Sequence, residues 1–208
     1  MEALRIKEEK FNAISHLIGM LLALCGLIIL LYKNDNESVI SIFAIIVYSF
    51  TLISMMGVSA AYHFVNRPVI KHKLRVLDHI NIYFLIAGTY TPVTLLLLND
   101  GNGLLIFWIV WGIAFVGTIF KLFYTGKLEF LSLLLYIIMG WLIVLDISNL
   151  TNIMSSMGLW LLFLGGLFYT FGILFYAIDK IPYNHFIWHL FVLAGAISHW
   201  LVMFIDVV

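Results

Sequence analysis

"NHFIWHLFVLAGAISHWLVMF", residues Asn184 to Phe204, decides the fold class. It holds no lysine, arginine, aspartate or glutamate, and it is long enough to cross a bilayer core, which takes about 20 helical residues. Two histidines, His185 and His189, stand at its mouth. Polar side chains inside hydrocarbon are costly unless paired, so the pair raises the question of what completes it.

The rest of the chain has the same character. It is 63% hydrophobic and 11% charged, whereas a soluble domain carries about a quarter charged residues. Lipid is therefore the expected solvent for most of the exterior. Seven apolar runs of spanning length lie at Asn12–Tyr32, Val39–Val65, Val76–Leu98, Gly103–Phe120, Phe130–Leu150, Ile153–Ile178 and Asn184–Ile205. They predict an all-α, seven-transmembrane-helix bundle forming one domain over residues 1–208, a multi-pass protein of the plasma membrane. Short connections make consecutive helices antiparallel neighbours. No internal repeat is visible, and an odd number of spans argues against a duplicated half. The first run exceeds a signal-peptide core in length and no small-residue cleavage site follows it, so it is expected to remain as a span. Cys25 is the single cysteine, which excludes an internal disulfide and a cysteine metal site. The net charge of zero offers no electrostatic footprint for nucleic acid; the expected partner is membrane lipid.

Flanking charges orient the bundle. With the N-terminus cytoplasmic, Arg5, Lys7, Lys10, Arg67, Lys71, Lys73, Arg75, Lys121, Lys127 and Lys180 all fall inside, and only Lys33 falls outside. The positive-inside bias thus predicts a cytoplasmic N-terminus and an outer C-terminus. In that orientation His63 lies near the cytoplasmic end of the second span and Asp78 near the cytoplasmic start of the third. His185 and His189 open the seventh from the same side. Asp146 and Asp206 are expected at outer ends within reach of water.

His185 and His189 are spaced i and i+4, one above the other on a helix face and about 6 Å apart along its axis. Two imidazoles so placed can share a metal ion, as in zinc motifs of the same spacing. Zinc needs a third ligand and keeps an open position where it is catalytic; His63 has matching depth. Ser59 stands one turn deeper on the same face as His63, and Asp78 can orient a ligand or accept a proton. Each residue also has a plainer reading. A histidine at a helix mouth is commonly an interfacial group bonded to water, the reading given to His72 and His79. Asp78 suits the N-cap of the third span, and Ser59 can bond back to its own helix. Trp188 and Trp200 suit interface belt and packing. "HFIWH" lacks the glutamate of H-E-x-x-H, "GVSAA" (Gly57–Ala61) is no nucleophile elbow, and no glycine-rich phosphate loop is present.

"EEKFNAISHLIG" (Glu8–Gly19), "SAAYH" (Ser59–His63), "LRVLDHINIYFLIAGTYTPVTL" (Leu74–Leu95) and "HFIWH" (His185–His189) together resemble the bacterial haemolysin III family. That family is related to the progestin and adiponectin Q receptors within a superfamily that includes alkaline ceramidases. The resemblance covers nearly the whole chain. It implies a seven-helix bundle with zinc held near the cytoplasmic face by His63, His185 and His189, and with Ser59 and Asp78 beside the metal. Glu9, Asn12 and His16 form an i, i+3, i+7 stripe that resembles the family's first motif, and either faces the site or seals the helix end. His199 lies about 15 Å beyond His189 along the helix, too far to share an ion, and is expected to line a cavity or to pack.

Three activities follow as expectations. The first is zinc-dependent hydrolysis of a lipid amide or ester, with Asp78 and Ser59 catalytic and ceramide-like substrates suggested by relatives alone. The second is a regulator or receptor in which zinc is structural and pins the seventh span to the second. The third takes the family name literally as cytolysis, against which the uniformly apolar spans and the lack of a secretion signal both weigh.

Overall fold

Hydrocarbon offers no water to backbone N–H and C=O groups, so a chain this apolar must satisfy them within each segment, as a helix does. The computed structural model describes residues 2–36, 38–178 and 180–208. Among the described residues, seven helices are long and apolar enough to cross a membrane, and there is no strand. They are α1 (Glu2–Lys33), α2 (Val39–Phe64), α3 (Pro68–Leu97), α4 (Gly103–Tyr124), α5 (Glu129–Ile153), α6 (Ser156–Ala177) and α7 (Asn184–Val207). The protein is a multi-pass membrane protein.

Helices α1 and α3 begin well before the runs expected at Asn12 and Val76. Lysine, arginine and glutamate are good helix formers, so a search for apolar runs finds where a helix enters lipid and misses where it starts. Pro68 opens α3 at a position where its missing N–H is harmless. Asp78 consequently sits inside α3, which removes its reading as an N-cap. Serine does cap two other helices: Ser38 Oγ accepts from the Ser41 amide at 3.2 Å, and Ser155 Oγ from that of Gly158 at 3.0 Å.

Two interruptions are repaired locally. After Pro92, α3 widens into a π turn over Val93–Leu97. In α5 the helix tightens over Leu142–Asp146, freeing the Gly140 carbonyl and the Ile143 amide. The Tyr90 hydroxyl donates to the first at 3.0 Å and accepts from the second at 2.9 Å. Asp146, expected in water, is buried instead: it accepts the Asn102 amide at the start of α4 (2.8 Å) and the Asn149 side chain (2.7 Å).

Short loops predict every consecutive pair of helices to be neighbours; the broad contacts are α1–α2, α2–α3, α3–α4 and α6–α7, and α7 also returns to α1. Helix α5 sits more loosely, with narrow contacts to α3, α4 and α6. The core holds Tyr48, Met56, Tyr83, Ile106, Val110 and Met139, while Phe50, Trp108, Phe115 and Trp160 face outward. Small residues let helices approach, as membrane bundles require. A Cβ at Gly88 would stand 1.9 Å from Thr51 Oγ1 of α2, and one at Gly172 would stand 2.7 Å from the Trp188 ring of α7.

One ionic cluster lies within this packing. Lys121 is 0% exposed, and its Nζ donates to Glu129 Oε2 at 2.7 Å. Leu128, in the left-handed region at φ 52°, turns the chain into α5 and so directs Glu129 back toward α4. The other carboxylate oxygen accepts the Gly126 amide at 2.9 Å and lies 3.8 Å from Arg75 Nη2. His79, expected at the water interface, is buried, with Nδ1 3.6 Å from Glu129 Oε2.

Candidate metal centre

Helices α1, α2 and α7 bring four imidazoles together. The His63 ring centroid lies 5.0 Å from His185 and 4.9 Å from His189, and the last two are 4.9 Å apart. His16 of α1 stacks flat on His189 at 3.7 Å and 11°. His63, His185 and His189 each offer a nitrogen within 4.8 Å of the others.

The entry into α7 shows how the pair is presented. Tyr183, at φ 57°, turns the chain into the helix and supplies no side-chain cap. The first amides of a helix lack partners of their own, and here Glu8 of α1 supplies one: its Oε1 accepts from His185 at 3.1 Å and from Phe186 at 3.5 Å. His63 Nδ1 lies 3.4 Å from Glu9 Oε2, and Glu9 also pairs with Lys71. His63 Nε2 is buried with no partner among the described residues. His189 Nδ1 lies 3.2 Å from the Asn12 carbonyl, to which it can donate, and 3.4 Å from Ser15 Oγ.

These side chains line a cavity of about 790 Å³. Arg5, Glu8, Glu9 and Arg75 lie along it together with Ser59, Asp78 and the histidines, and its apolar part is walled by Leu85, Leu133, Ile137, Ile173 and Val192. Asp78, Ser59 and His63 line the same cavity as the other histidines. Ser59 is buried, and no bond back to its own helix is found among the described residues.

The donor set suits a borderline metal ion. Zinc–nitrogen bonds of about 2.0–2.1 Å place tetrahedral ligands about 3.3 Å apart, so closure by at most about 1.5 Å completes a coordination triangle. The buried, unpartnered Nε2 of His63 is the kind of group that an ion satisfies.

The sequence pattern of the family described as "Haemolysin-III related" matches residues 4–200. Hemolysin-3 of Bacillus cereus is 40% identical over 192 residues, 92% of this chain and 88% of that protein. The chain belongs to the haemolysin III family. The Hemolysin-3 homolog of Bacillus subtilis (strain 168) is 38% identical, covering 92% of this chain and 90% of its own. The human Monocyte to macrophage differentiation factor is 32% identical over 160 residues, 74% of this chain and 66% of that protein.

In this haemolysin III protein, most residues singled out from sequence fall on one cavity. His63, His185 and His189 converge, with Ser59 and Asp78 on the same cavity. Glu9, Asn12 and His16 face the site rather than merely closing the helix end. His199 lies elsewhere on the cavity, its Nε2 3.2 Å from the Leu162 carbonyl. Trp188 packs against Tyr176 and lines the cavity, while Trp200 stacks on Phe204. Sequence reasoning missed Glu8 as the cap of α7, and it missed Arg75, His79 and Glu129 as cavity residues. Paired acids directly before an apolar helix were the available signal for Glu8.

Proposed function

We propose that this protein is a zinc-dependent intramembrane hydrolase of a lipid amide or ester, with zinc held by His63, His185 and His189. The observation that carries the reading is the convergence of three imidazoles from two helices on a cavity with a polar part and a large apolar part. Positive charge on Arg67, Lys71, Lys73 and Arg75 supports a cytoplasmic position for the polar end. When bound there, zinc supplies a Lewis acid that polarises a carbonyl and activates water near neutral pH.

The chain's own groups have the following parts. The apolar wall formed by Leu85, Ile137, Ile173 and Val192 takes the acyl chain and excludes water from it. A carboxylate oxygen of Asp78 takes the proton of the attacking water as the water oxygen bonds to the carbonyl carbon. Ser59 Oγ–H donates to the carbonyl oxygen as it gains charge. Asp78 returns the proton to the leaving nitrogen or oxygen as the bond to carbon breaks, giving a fatty acid and an amine or alcohol.

The test is fatty-acid release from a panel of lipid amides and esters by purified protein. Release that stops on chelation, and in His185→Ala, is the expected result. No release from any lipid, with His185→Ala indistinguishable from wild type, overturns it.

A second reading keeps the zinc and drops the chemistry. The ligands join α2 to α7, so an ion there would tie two spans distant in sequence, as a structural site in a regulator does. The name of the human relative, a differentiation factor, leans the same way. In that case His63→Ala lowers thermal stability sharply and abolishes no turnover. Cytolysis is supported by the name of the Bacillus cereus relative alone, and liposome leakage by dilute purified protein tests it.

A further inference from the structure

A histidine ligand must offer the metal one nitrogen, and the group bonded to the other nitrogen decides which one is free. In this protein both decisions are made by α1. Glu9 Oε2 lies 3.4 Å from His63 Nδ1, and the backbone carbonyl oxygen of Asn12 lies 3.2 Å from His189 Nδ1. His63 Nε2 is left buried and without a partner among the described residues. His16 presses its ring flat on His189, which blocks rotation of that imidazole out of plane. Residues 9, 12 and 16 share one helix face, so a single rigid surface holds both rings.

Resting on the zinc reading above, we infer that the α1 stripe of Glu9, Asn12 and His16 is the orienting shell of the metal centre, holding His63 and His189 by Nδ1 so that Nε2 of each is free for the ion. These are positioning residues: they act through the ligands. The plainer alternative is that Glu9 only anchors α1, since it also pairs with Lys71. That alternative leaves unexplained why the stripe's contacts converge on two ligand rings. It also makes a different prediction, because Lys71→Met breaks the anchor while leaving the acceptor of His63 in place.

The experiment uses the full chain purified in detergent, with Zn²⁺ affinity measured by competition against a chromophoric chelator and Co²⁺ as a spectroscopic probe. Glu9→Leu is expected to weaken zinc binding by about 10- to 100-fold and to alter the Co²⁺ ligand-field bands. Glu9→Gln, whose amide oxygen still accepts, recovers part of the loss, and Lys71→Met stays near wild type. Wild-type affinity and spectrum in Glu9→Leu overturn the inference, as does a loss in Lys71→Met equal to that in Glu9→Leu. Should Glu9→Leu fail to purify folded, Glu9→Gln decides: weakening beyond that of Lys71→Met supports the assignment, and its absence overturns it. A wild-type protein that takes up neither ion overturns the zinc reading itself, and that result is seen before any variant is made.

Discussion

Neutralising Glu129 should destabilise the protein more than neutralising the Lys121 that it pairs with. Lys121 is 0% exposed, and its side chain makes one hydrogen bond among the described residues, to Glu129 Oε2 at 2.7 Å. Glu129→Gln therefore leaves an ammonium buried without a counter-charge, a change that costs about 3–5 kcal/mol. Lys121→Met keeps the stem's packing and leaves behind a carboxylate that is 28% exposed and still holds the Gly126 amide at 2.9 Å. That loss resembles one charge-assisted hydrogen bond, about 1.5–3 kcal/mol. At about 2–4 °C per kcal/mol for a chain of this size, Glu129→Gln lowers Tm by about 6–20 °C and Lys121→Met by about 3–12 °C. The double variant keeps neither charge of the pair, so it should lie near Lys121→Met rather than at the sum. Thermal unfolding in one detergent, followed by tryptophan fluorescence, measures all three. Equal losses in the two single variants, or a double variant at their sum, refute the reasoning.

Metal analysis of purified protein should find one zinc per chain in the wild type and none in His63→Ala or His185→Ala; zinc retained in either variant removes that residue from the centre. Gly88→Ala, whose methyl would meet Thr51 Oγ1 at 1.9 Å, should separate α2 from α3 and cost about 1–3 kcal/mol, and an unchanged Tm contradicts the close approach. Ile173→Trp fills part of the apolar cavity wall and should reduce turnover of long-chain lipids more than short-chain ones, with zinc content unaltered. A chain-length profile like that of wild type counts against the cavity as the acyl site.

The seven spans could be read from sequence because hydrocarbon imposes one requirement on each of them separately. The three histidines could be brought to one depth because flanking charge orders the span ends. What escaped depends on how helices face one another. Lys121 looked like an ordinary end charge, and its burial against Glu129 follows from the left-handed turn at Leu128, a conformation that leucine rarely adopts. Asp146 read as a water-exposed end, because no pattern in one segment shows that it will accept an amide of another. The N-cap alternative for Asp78 fails for a local reason: α3 begins ten residues earlier, in a basic stretch that hydropathy ignores. Glu8 and Glu9 lay just outside the apolar run, where charge is unremarkable until α7 and α2 are set against them.

The order of synthesis gives the Glu8 contact a further meaning. His63 and the α1 stripe are made early, whereas α7 leaves the ribosome only after the other six spans. Glu8 accepts the first amides of α7, so the latecomer docks on a seat prepared at the opposite end of the chain. On the zinc reading, a chain stalled before α7 would hold only His63 of the three proposed ligands.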